Sequence, residues 1–294
     1  SPQPVVFESH VRVFFSTRAV DSKNGKFLSE VAFVDFTPDF SKVLRVSKRP
    51  VIERGGLGCF DEHGIFPMNV VKDGNNLLGY TCGWSRRVSV SVETGIGLAF
   101  SKDGGESFQR LGSGPVLTTS LQEPCLVGDG FVLKEGDDFH MWYIFGKGWQ
   151  TYEEGGVPER TYKIGHAISS DGVSWRKTAE GVSIIPDAIG ELECQALPCV
   201  IKIDGVYHMF FCFRHSVDFR TNPVRGYRIG HAQSRDMVHW ERDDDSIAIS
   251  QESGSWDSDM MCYPGICQSG GQTYLLYNGN EFGKYGFGAA VLEI

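Results

Sequence analysis

Acidic residues stand just before apolar, strand-like runs at several places in this sequence, and such carboxylates can do acid–base chemistry. Asp61 and Glu62 come before the run GIFPMNVV, Glu123 precedes PCLV, and Glu193 opens the run ECQALPCVI. Carboxylates that share a pocket can hold separated pKa values, so that one stays protonated as an acid while another is ionised. These four residues are therefore predicted to form a catalytic site, although a single acid before a strand is often only a solvated turn residue.

A second set of residues falls beside these acids or at the ends of the runs that follow, where the side chains could bind a ligand. Tryptophan faces can stack on the apolar side of a sugar ring, and arginine binds carboxylate or phosphate in a fork geometry. The candidates are Arg18, Trp84, Arg86, Trp149, Gln195, Arg214, His215, Asp259 and Asn278. The alternative is that the arginines pair with the acids and bind nothing.

A repeated hairpin sets the elements that must position these residues. The segment Tyr162–Trp175 reads YKIGHAISSDGVSW, it returns at Tyr227–Trp240 as YRIGHAQSRDMVHW, and a weaker copy covers Glu93–Phe108. The spacing of the copies is roughly 65 residues, as in repeat architectures. Each copy reads as a short strand, a Ser-x-Asp turn and an aromatic residue that opens the returning strand.

A hairpin at this period, with no helical pattern between the copies, is typical of one blade of a propeller. The prediction is a single all-β domain over residues 1–294, a five-bladed β-propeller with four-stranded antiparallel blades, whose two termini share one sheet. First-strand starts and second-strand ends then meet around one central opening, and the Ser-x-Asp turns lie on the opposite face. His166 and His231 are predicted to be packing residues, because Leu98 takes the same position in the weaker copy.

Composition narrows the function classes. The net charge is −9 over 294 residues, which argues against a general nucleic-acid binder. No apolar stretch is long enough to span a bilayer, so no membrane partner is expected. The eight cysteines form no CxxC pair and are predicted to be buried free thiols, with neither a metal nor a cofactor expected. The cytoplasm is slightly favoured, and export stays open if the N-terminus has been trimmed.

With its blade rhythm and HAxSxDGxxW turns, the chain resembles the five-bladed β-propeller glycosidase superfamily. That group includes arabinanases and β-xylosidases, invertase-like fructosidases and mannoside phosphorylases. The resemblance also rests on acidic residues near four prolines at comparable places, Pro67, Pro124, Pro198 and Pro264. It implies a central pocket with acids from successive inner strands, matched by position here to Asp61 or Glu62, Glu123 and Glu193. The chain departs from the family in lacking clear invertase-type Asn-Asp-Pro-Asn or Arg-Asp-Pro motifs.

The leading hypothesis is a glycoside hydrolase-like enzyme that acts on a glycan or sugar conjugate in a central pocket of carboxylates and arginines. Glu193 would be the general acid, and Glu62 or Asp61 the base or nucleophile. Glu123 would tune their pKa values or hold the sugar. The arginines and His215 suggest an anionic sugar. Two alternatives stay open: a non-catalytic carbohydrate-binding or scaffold propeller, and a glycoside phosphorylase in which arginines hold phosphate.

Overall fold

The computed structural model describes residues 1–247, 249 and 254–293, and these ranges are almost entirely β-structure. In chain order the strands are β1 (Gln3–Val6), β2 (Val11–Val20), β3 (Phe27–Phe36), β4 (Val43–Val46), β5 (Gly64–Asp73), β6 (Asn76–Arg86), β7 (Val92–Ser101), β8 (Gln109–Arg110), β9 (Cys125–Glu135), β10 (Asp138–Gln150), β11 (Glu159–Ser169), β12 (Arg176–Lys177), β13 (Glu193–Ile203), β14 (Val206–His215), β15 (Arg228–Ser234), β16 (Glu241–Arg242), β17 (Cys262–Ser269), β18 (Gln272–Asn278) and β19 (Phe287–Leu292). Short helical turns cover Pro223–Arg225, Asp244–Ser246 and Asn280–Gly283. In the described ranges no helix has the length and apolar character needed to cross a membrane.

The strands form consecutive antiparallel units: unit 1 (β1–β4), unit 2 (β5–β8), unit 3 (β9–β12), unit 4 (β13–β16) and unit 5 (β17–β19). Units 3 and 4 are four-stranded sheets, and unit 5 has three strands. Units 1 and 2 are joined into one eight-stranded sheet by a parallel pairing of Ser29 with Gly64. The predicted all-β class and four-stranded antiparallel sheets are thereby confirmed, while five separate blades remain a prediction.

The prediction that the two termini share one sheet is wrong. β1 pairs with β2, and β17–β19 form a sheet of their own in which no other described strand takes part. The physical reason is proximity along the chain. A short connection, closed by a hydrogen bond from the Phe7 N–H to the His10 carbonyl at 2.8 Å, lets β1 fold back on the next alternating strand.

The Ser-x-Asp turns join the third and fourth strands of units 2, 3 and 4. In unit 3, Ser169 Oγ donates to Asp171 Oδ1 at 2.9 Å, and this oxygen also accepts from two following backbone N–H groups at 2.8 and 2.7 Å. Trp175 Nε1 donates to a carbonyl of the same turn at 3.2 Å. Equivalent bonds close the turns of units 2 and 4. The prediction that these residues belong to the scaffold is confirmed.

The first strands of units 2 to 5 are interrupted by β-bulges. The register against the second strand shifts at Pro67, Pro198 and Pro264 in β5, β13 and β17, and it shifts twice in β9. A bulge leaves a residue unpaired and re-aims its side chain, and proline suits such a place because it has no N–H to donate. Pro124 does not belong with the other three, because it lies before β9.

Seven of the eight cysteines are buried and all eight are free thiols, as predicted apart from the partly exposed Cys59. Two stacked histidine pairs lie in units 3 and 4, in which His166, His208 and His231 are buried and His140 is half-buried. His140 Nδ1 lies 3.1 Å from His166 Nε2, and His208 Nδ1 lies 3.1 Å from His231 Nε2. The packing role predicted for His166 and His231 is confirmed.

We expect acid to destabilise the fold through these pairs. Burial lowers the pKa of His166 from its ordinary 6.5 to about 4. Between those pH values the folded chain binds fewer protons than the unfolded chain, so stability falls as the pH falls through this window. The variant His166→Leu carries the residue type of Leu98 in the weaker copy of the hairpin. Its Tm should fall by several degrees less than the wild-type Tm between neutral and acidic buffer.

Thermal unfolding over this pH range measures the effect, and His239→Gln is the matched control because His239 lies exposed in a Ser-x-Asp turn. Because the control keeps His140 and His166, its Tm should still fall as the pH falls through this window. A wild-type slope in His166→Leu would contradict the role given to the pair.

Candidate functional site

A cavity of about 650 Å³ opens at the end of the sheets where loops connect second strands to third strands. Among the described residues that line it, the charged ones are Arg18, Lys26, Arg86, Arg87, Arg160 and Asp129. The cavity wall thus carries five cations and one carboxylate, in a chain whose net charge is −9. The structure brings Arg18, Trp84 and Arg86 together here, as expected, but it places one carboxylate at the cavity where several were expected.

Asp129 is aimed at the cavity by a bulge of β9. The register against β10 passes from Gly128 opposite Ile144 to Phe131 opposite Trp142, and Asp129 lies within this shift in a left-handed conformation, φ 51°. That conformation costs a non-glycine residue about 1–2 kcal/mol. Leu197 and Tyr263 take the same left-handed conformation at the bulges of β13 and β17, so the carboxyl at this position, and not the backbone conformation, makes Asp129 a candidate.

The surroundings of Asp129 raise its pKa into the neutral range. The Cys82 thiol and the Leu197 backbone N–H lie beside it and act to lower its pKa. Gly128 leaves room for Cys82, because a Cβ there would lie 2.7 Å from Cys82 Sγ. Burial has the largest effect on the pKa of Asp129 and raises it from 3.8 to about 7. The two neighbouring groups and the charge of Arg160 act in the opposite direction and are outweighed. Such a carboxyl can donate a proton to a leaving group near neutral pH.

Arg160 is held at one side of the cavity by two contacts. Its Nη1 donates to Ser91 Oγ at 3.1 Å, and its guanidinium packs 5.3 Å from the centre of the Trp149 ring. Trp149, predicted to touch the substrate, does not line the cavity and supports Arg160 instead. The sequence could not distinguish these roles, because both residues lie at the same end of the sheet.

Arg18 and Arg86 also line the cavity. Each guanidinium lies 5.8 Å from an aromatic ring, that of Phe27 for Arg18 and that of Trp84 for Arg86. Arg86 also donates to the Phe27 carbonyl and joins the β2–β3 loop to the β6–β7 loop. Arginine held over aromatic rings keeps its planar donor fork available to an anion.

Two tyrosines form part of the floor, and Arg214 lies behind them. The hydroxyls of Tyr162 and Tyr227 hydrogen-bond to each other, and both residues line the cavity. Arg214 is 1% exposed, with its guanidinium 3.5 Å from the Phe219 ring and 5.2 Å from the Tyr162 ring. The prediction that Arg214 binds substrate is corrected, since its aromatic neighbours enclose it.

Asp61, Glu123 and Glu193, predicted to be catalytic, do not line the cavity. Each has no exposed surface, and each pairs with a cation on the fourth strand of its own unit. The pairs are Asp61 with Arg110, Glu123 with Lys177 at 2.6 Å, and Glu193 with Arg242 at 2.7 Å. These acids link the start of the first strand to the outermost strand, because a buried carboxylate is tolerated only beside such a partner. Their catalytic role remains a prediction that this geometry does not favour.

The other candidates are dispersed over the same end of the molecule. Glu62 is half-buried at a neighbouring cleft, where its Oε2 accepts a backbone N–H at 3.0 Å. Gln195 has no exposed surface and hydrogen-bonds to buried neighbours, so it cannot reach a ligand as predicted. Asn278 lines a second cavity of about 520 Å³ that adjoins the first. His215 borders a small separate cleft, and Asp259 is exposed on the surface.

Sequence reasoning missed Asp129 and Arg160. The available signal for Asp129 was the segment GDG inside an otherwise apolar run. Glycine inside a strand marks a bulge or a close approach of backbone. The matching strands have their bulges at Phe66-Pro67, Leu197-Pro198 and Tyr263-Pro264, so the polar residue in unit 3 is the exception.

Comparison with known proteins gives two relatives at the level of sequence, and no protein-family model matches. Both are uncharacterized proteins of Mycobacterium tuberculosis, one from strain CDC 1551 / Oshkosh and one from strain H37Rv. They are 33% and 32% identical over 295 residues, which cover 99% of this chain and 91% of each relative.

Solved structures with a similar fold include glycoside hydrolases. One described as a glycoside hydrolase aligns with a TM-score of 0.72 at 16% identity, covering 99% of this chain and 85% of its own. A thermostable family-43 glycoside hydrolase aligns with a TM-score of 0.69 at 13% identity, covering 100% and 89%. The Bombyx mori GH32 beta-fructofuranosidase aligns with a TM-score of 0.61 at 15% identity, covering 94% and 54%. The predicted resemblance to propeller glycoside hydrolases is confirmed for the fold.

Proposed function

We propose that this chain, which belongs to the family of the two uncharacterized mycobacterial proteins, is a glycoside hydrolase-like enzyme acting on an anionic glycan or sugar conjugate. Its fold is that of propeller-type glycoside hydrolases. The observation that supports this most is the cavity itself. Five cations line it together with one carboxyl, that of Asp129, whose pKa is raised to about 7. If units 1 to 5 are counted as five blades, this cavity lies at the axis of the propeller.

In the proposed reaction Asp129 is the general acid. As the bond between the anomeric carbon and the glycosidic oxygen breaks, its electron pair goes to that oxygen, which takes the proton of Asp129. Water adds to the anomeric carbon and releases a proton to the Asp129 carboxylate or to solvent. Burial makes the protonated form of Asp129 available at the pH where a glycosidic oxygen needs a donor.

The cations specify the substrate class. Arg18, Arg86 and Arg160 present guanidinium groups to one cavity, and a guanidinium binds carboxylate or phosphate oxygens in pairs. A neutral sugar would leave these charges without a partner in a partly enclosed site. A uronate, a phosphorylated sugar or another acidic glycan would satisfy them, and the positive cavity would attract it from solution.

Phosphorolysis is the second candidate, and one observation favours it. Asp129 is the sole carboxylate among the described residues that line the cavity, whereas a hydrolase of the inverting type uses a second one as base, about 6.5–9.5 Å away. Phosphate would bring its own negative charge and needs only the cations. A nearby carboxylate, Glu93, accepts the Leu126 N–H at 2.7 Å and could serve as the base of a hydrolase.

The experiment is a turnover screen with 4-methylumbelliferyl glycosides of neutral, uronic and phosphorylated sugars, each with and without inorganic phosphate. Turnover of acidic glycosides without phosphate supports hydrolysis, and its loss in Glu93→Gln would assign the base. Turnover that requires phosphate supports the second candidate. Binding of acidic glycans without turnover in either buffer would leave a carbohydrate-binding protein and would refute both enzymatic proposals.

Arg160→Met should weaken binding of an acidic ligand about 10–100-fold, because a charge-assisted hydrogen bond contributes about 1.5–3 kcal/mol. The shape of the Arg160 stem on Trp149 is largely kept. Titration calorimetry with the acidic glycoside from the screen measures the change. Arg176→Met is the matched control, because Arg176 is exposed on β12 at the opposite end of the sheets. Equal affinities for all three proteins would argue against an anion site at Arg160.

A further inference from the structure

The most exposed hydrophobic side chains lie at the cavity end of the sheets. Among the described residues, six large hydrophobic side chains are more than three-quarters exposed: Leu57, Val88, Leu121, Val157, Val224 and Tyr285. Four of the six stand in loops between second and third strands, and the other two stand in connections that lead into a first strand. None of the six belongs to the turns at the opposite end. Apolar groups exposed together at one end mark an interaction surface.

Two neighbouring loops combine such apolar side chains with cations. Residues 18–27 and 86–92 are called the docking surface here, and the Arg86 guanidinium joins them by donating to the Phe27 carbonyl. The exposed apolar residues of this surface are Val20, Phe27 and Val88. Its charged residues are Arg18, Lys23, Lys26, Arg86 and Arg87 and the single acid Asp21. A chain with net charge −9 thus concentrates positive charge around exposed apolar groups beside its cavity.

We propose that the docking surface rests on an anionic lipid membrane, with the cavity facing the lipid headgroups. Cations next to apolar side chains are the two features that bind a protein to such an interface. Each lysine or arginine near an anionic membrane strengthens binding about fivefold, so an excess of four cations is a sizeable contribution. A single acidic protein partner would use the cations but would leave the outward apolar tips of the surrounding loops unexplained.

The docking surface is continuous with the proposed site. Arg18, Lys26 and Phe27 belong to both the docking surface and the cavity wall. A glycan attached to a lipid, or lying among headgroups, would therefore reach Asp129 without leaving the membrane surface. The sequence-based expectation of no membrane partner rested on the lack of a spanning segment, which a protein docked on a membrane surface does not need.

Co-sedimentation with vesicles tests the charged part, using phosphatidylcholine with and without phosphatidylglycerol. We expect the chain to bind the anionic vesicles, and to bind them less as salt rises. Lys26→Glu/Arg87→Glu should weaken this binding by at least about tenfold. The matched control is Lys102→Glu/Arg235→Glu, which changes two exposed cations of the opposite-end turns and should bind within about twofold of wild type.

Val20→Asp tests the apolar part against Val238→Asp, an equally exposed valine of an opposite-end turn. Of these two variants, only Val20→Asp should weaken vesicle binding. Because Val20 does not line the cavity, turnover of a soluble glycoside should not change. Unchanged Tm values show that both variants are folded. No preference for anionic vesicles, or equal losses in variants and controls, would overturn the proposal. Vesicle binding needs no substrate, so this result is independent of the proposed function.

Discussion

Asp129→Asn should lower kcat/KM about 10²–10⁴-fold on glycosides whose leaving group needs a proton, the usual contribution of a general acid. The asparagine keeps the shape of the side chain and can still contact Cys82 and the Leu197 backbone. It has no acidic proton to donate. Steady-state kinetics measure the loss on an alkyl glycoside or oligosaccharide of the sugar found in the turnover screen, because 4-methylumbelliferone is itself an acidic leaving group. The loss should fall on kcat more than on KM.

Two further readouts separate a lost acid from a damaged pocket. A substrate with a strongly acidic leaving group, such as a 2,4-dinitrophenyl glycoside, needs no protonation, so Asp129→Asn should hydrolyse it at a rate much closer to wild type. The wild-type kcat/KM should fall as the pH rises past about 7, because the proton on Asp129 is then lost, and the variant should not show this limb. Equal losses on both substrate types would contradict the assignment.

The same variant should be more stable than wild type in alkaline buffer. Since the pKa of Asp129 is raised to about 7 in the fold, the folded chain binds more protons than the unfolded chain between pH 3.8 and 7. Wild-type stability therefore falls as the pH rises through this range, and asparagine avoids the buried charge. The gain at alkaline pH should be about 2 kcal/mol after allowance for partial exposure, measured by denaturant unfolding. Asp137→Asn, an exposed turn residue, is the control and should show no gain.

The repeat was sufficient to predict most of the fold. Aligning Asp103, Asp171 and Asp236 gives the phase of the hairpins, and the structure confirms their turns and the packing role of the histidines. Hairpin pairing and turn chemistry are local, so they leave a clear pattern in the sequence. The predicted shared sheet required a non-local pairing of the two ends of the chain, and that prediction failed because β1 pairs locally with β2.

The candidate site was predicted less well, for a geometric reason. The sequence places Glu123 at the start of a strand, but not whether its side chain points to the axis or along the sheet toward Lys177. The bulge in β9 hid Asp129, because an extra residue breaks the alternation that tells inward from outward side chains. Burial of Asp129 depends on Cys82, which comes from a different unit and is remote in sequence.

Glu193→Ala should destabilise the fold by about 3–5 kcal/mol, the cost of removing one partner of a buried ion pair. Glu193 Oε1 accepts from Arg242 Nη1 at 2.7 Å and from Gln195 Nε2 at 2.9 Å. Its Oε2 accepts two backbone N–H groups, at 2.8 and 3.0 Å. Without the carboxylate, the two backbone N–H groups lose their acceptor, while Arg242 Nη1 and Gln195 Nε2 keep other acceptors. The buried Arg242 charge keeps only Asp244 as a counter-ion. Tm should fall by roughly 6–15 °C for a chain of this size.

Glu193→Gln distinguishes a structural from a catalytic Glu193. The amide retains an acceptor oxygen, so the loss of stability should be smaller than in the alanine variant, about 1–3 kcal/mol. Below its Tm the folded protein should keep kcat/KM within a few-fold of wild type, because the carboxylate does not line the cavity. Glu191→Gln, an exposed neighbour, controls for changes of charge in the same loop. A loss of kcat as large as that of Asp129→Asn, at unchanged Tm, would return Glu193 to the reaction and require the cavity to open toward it.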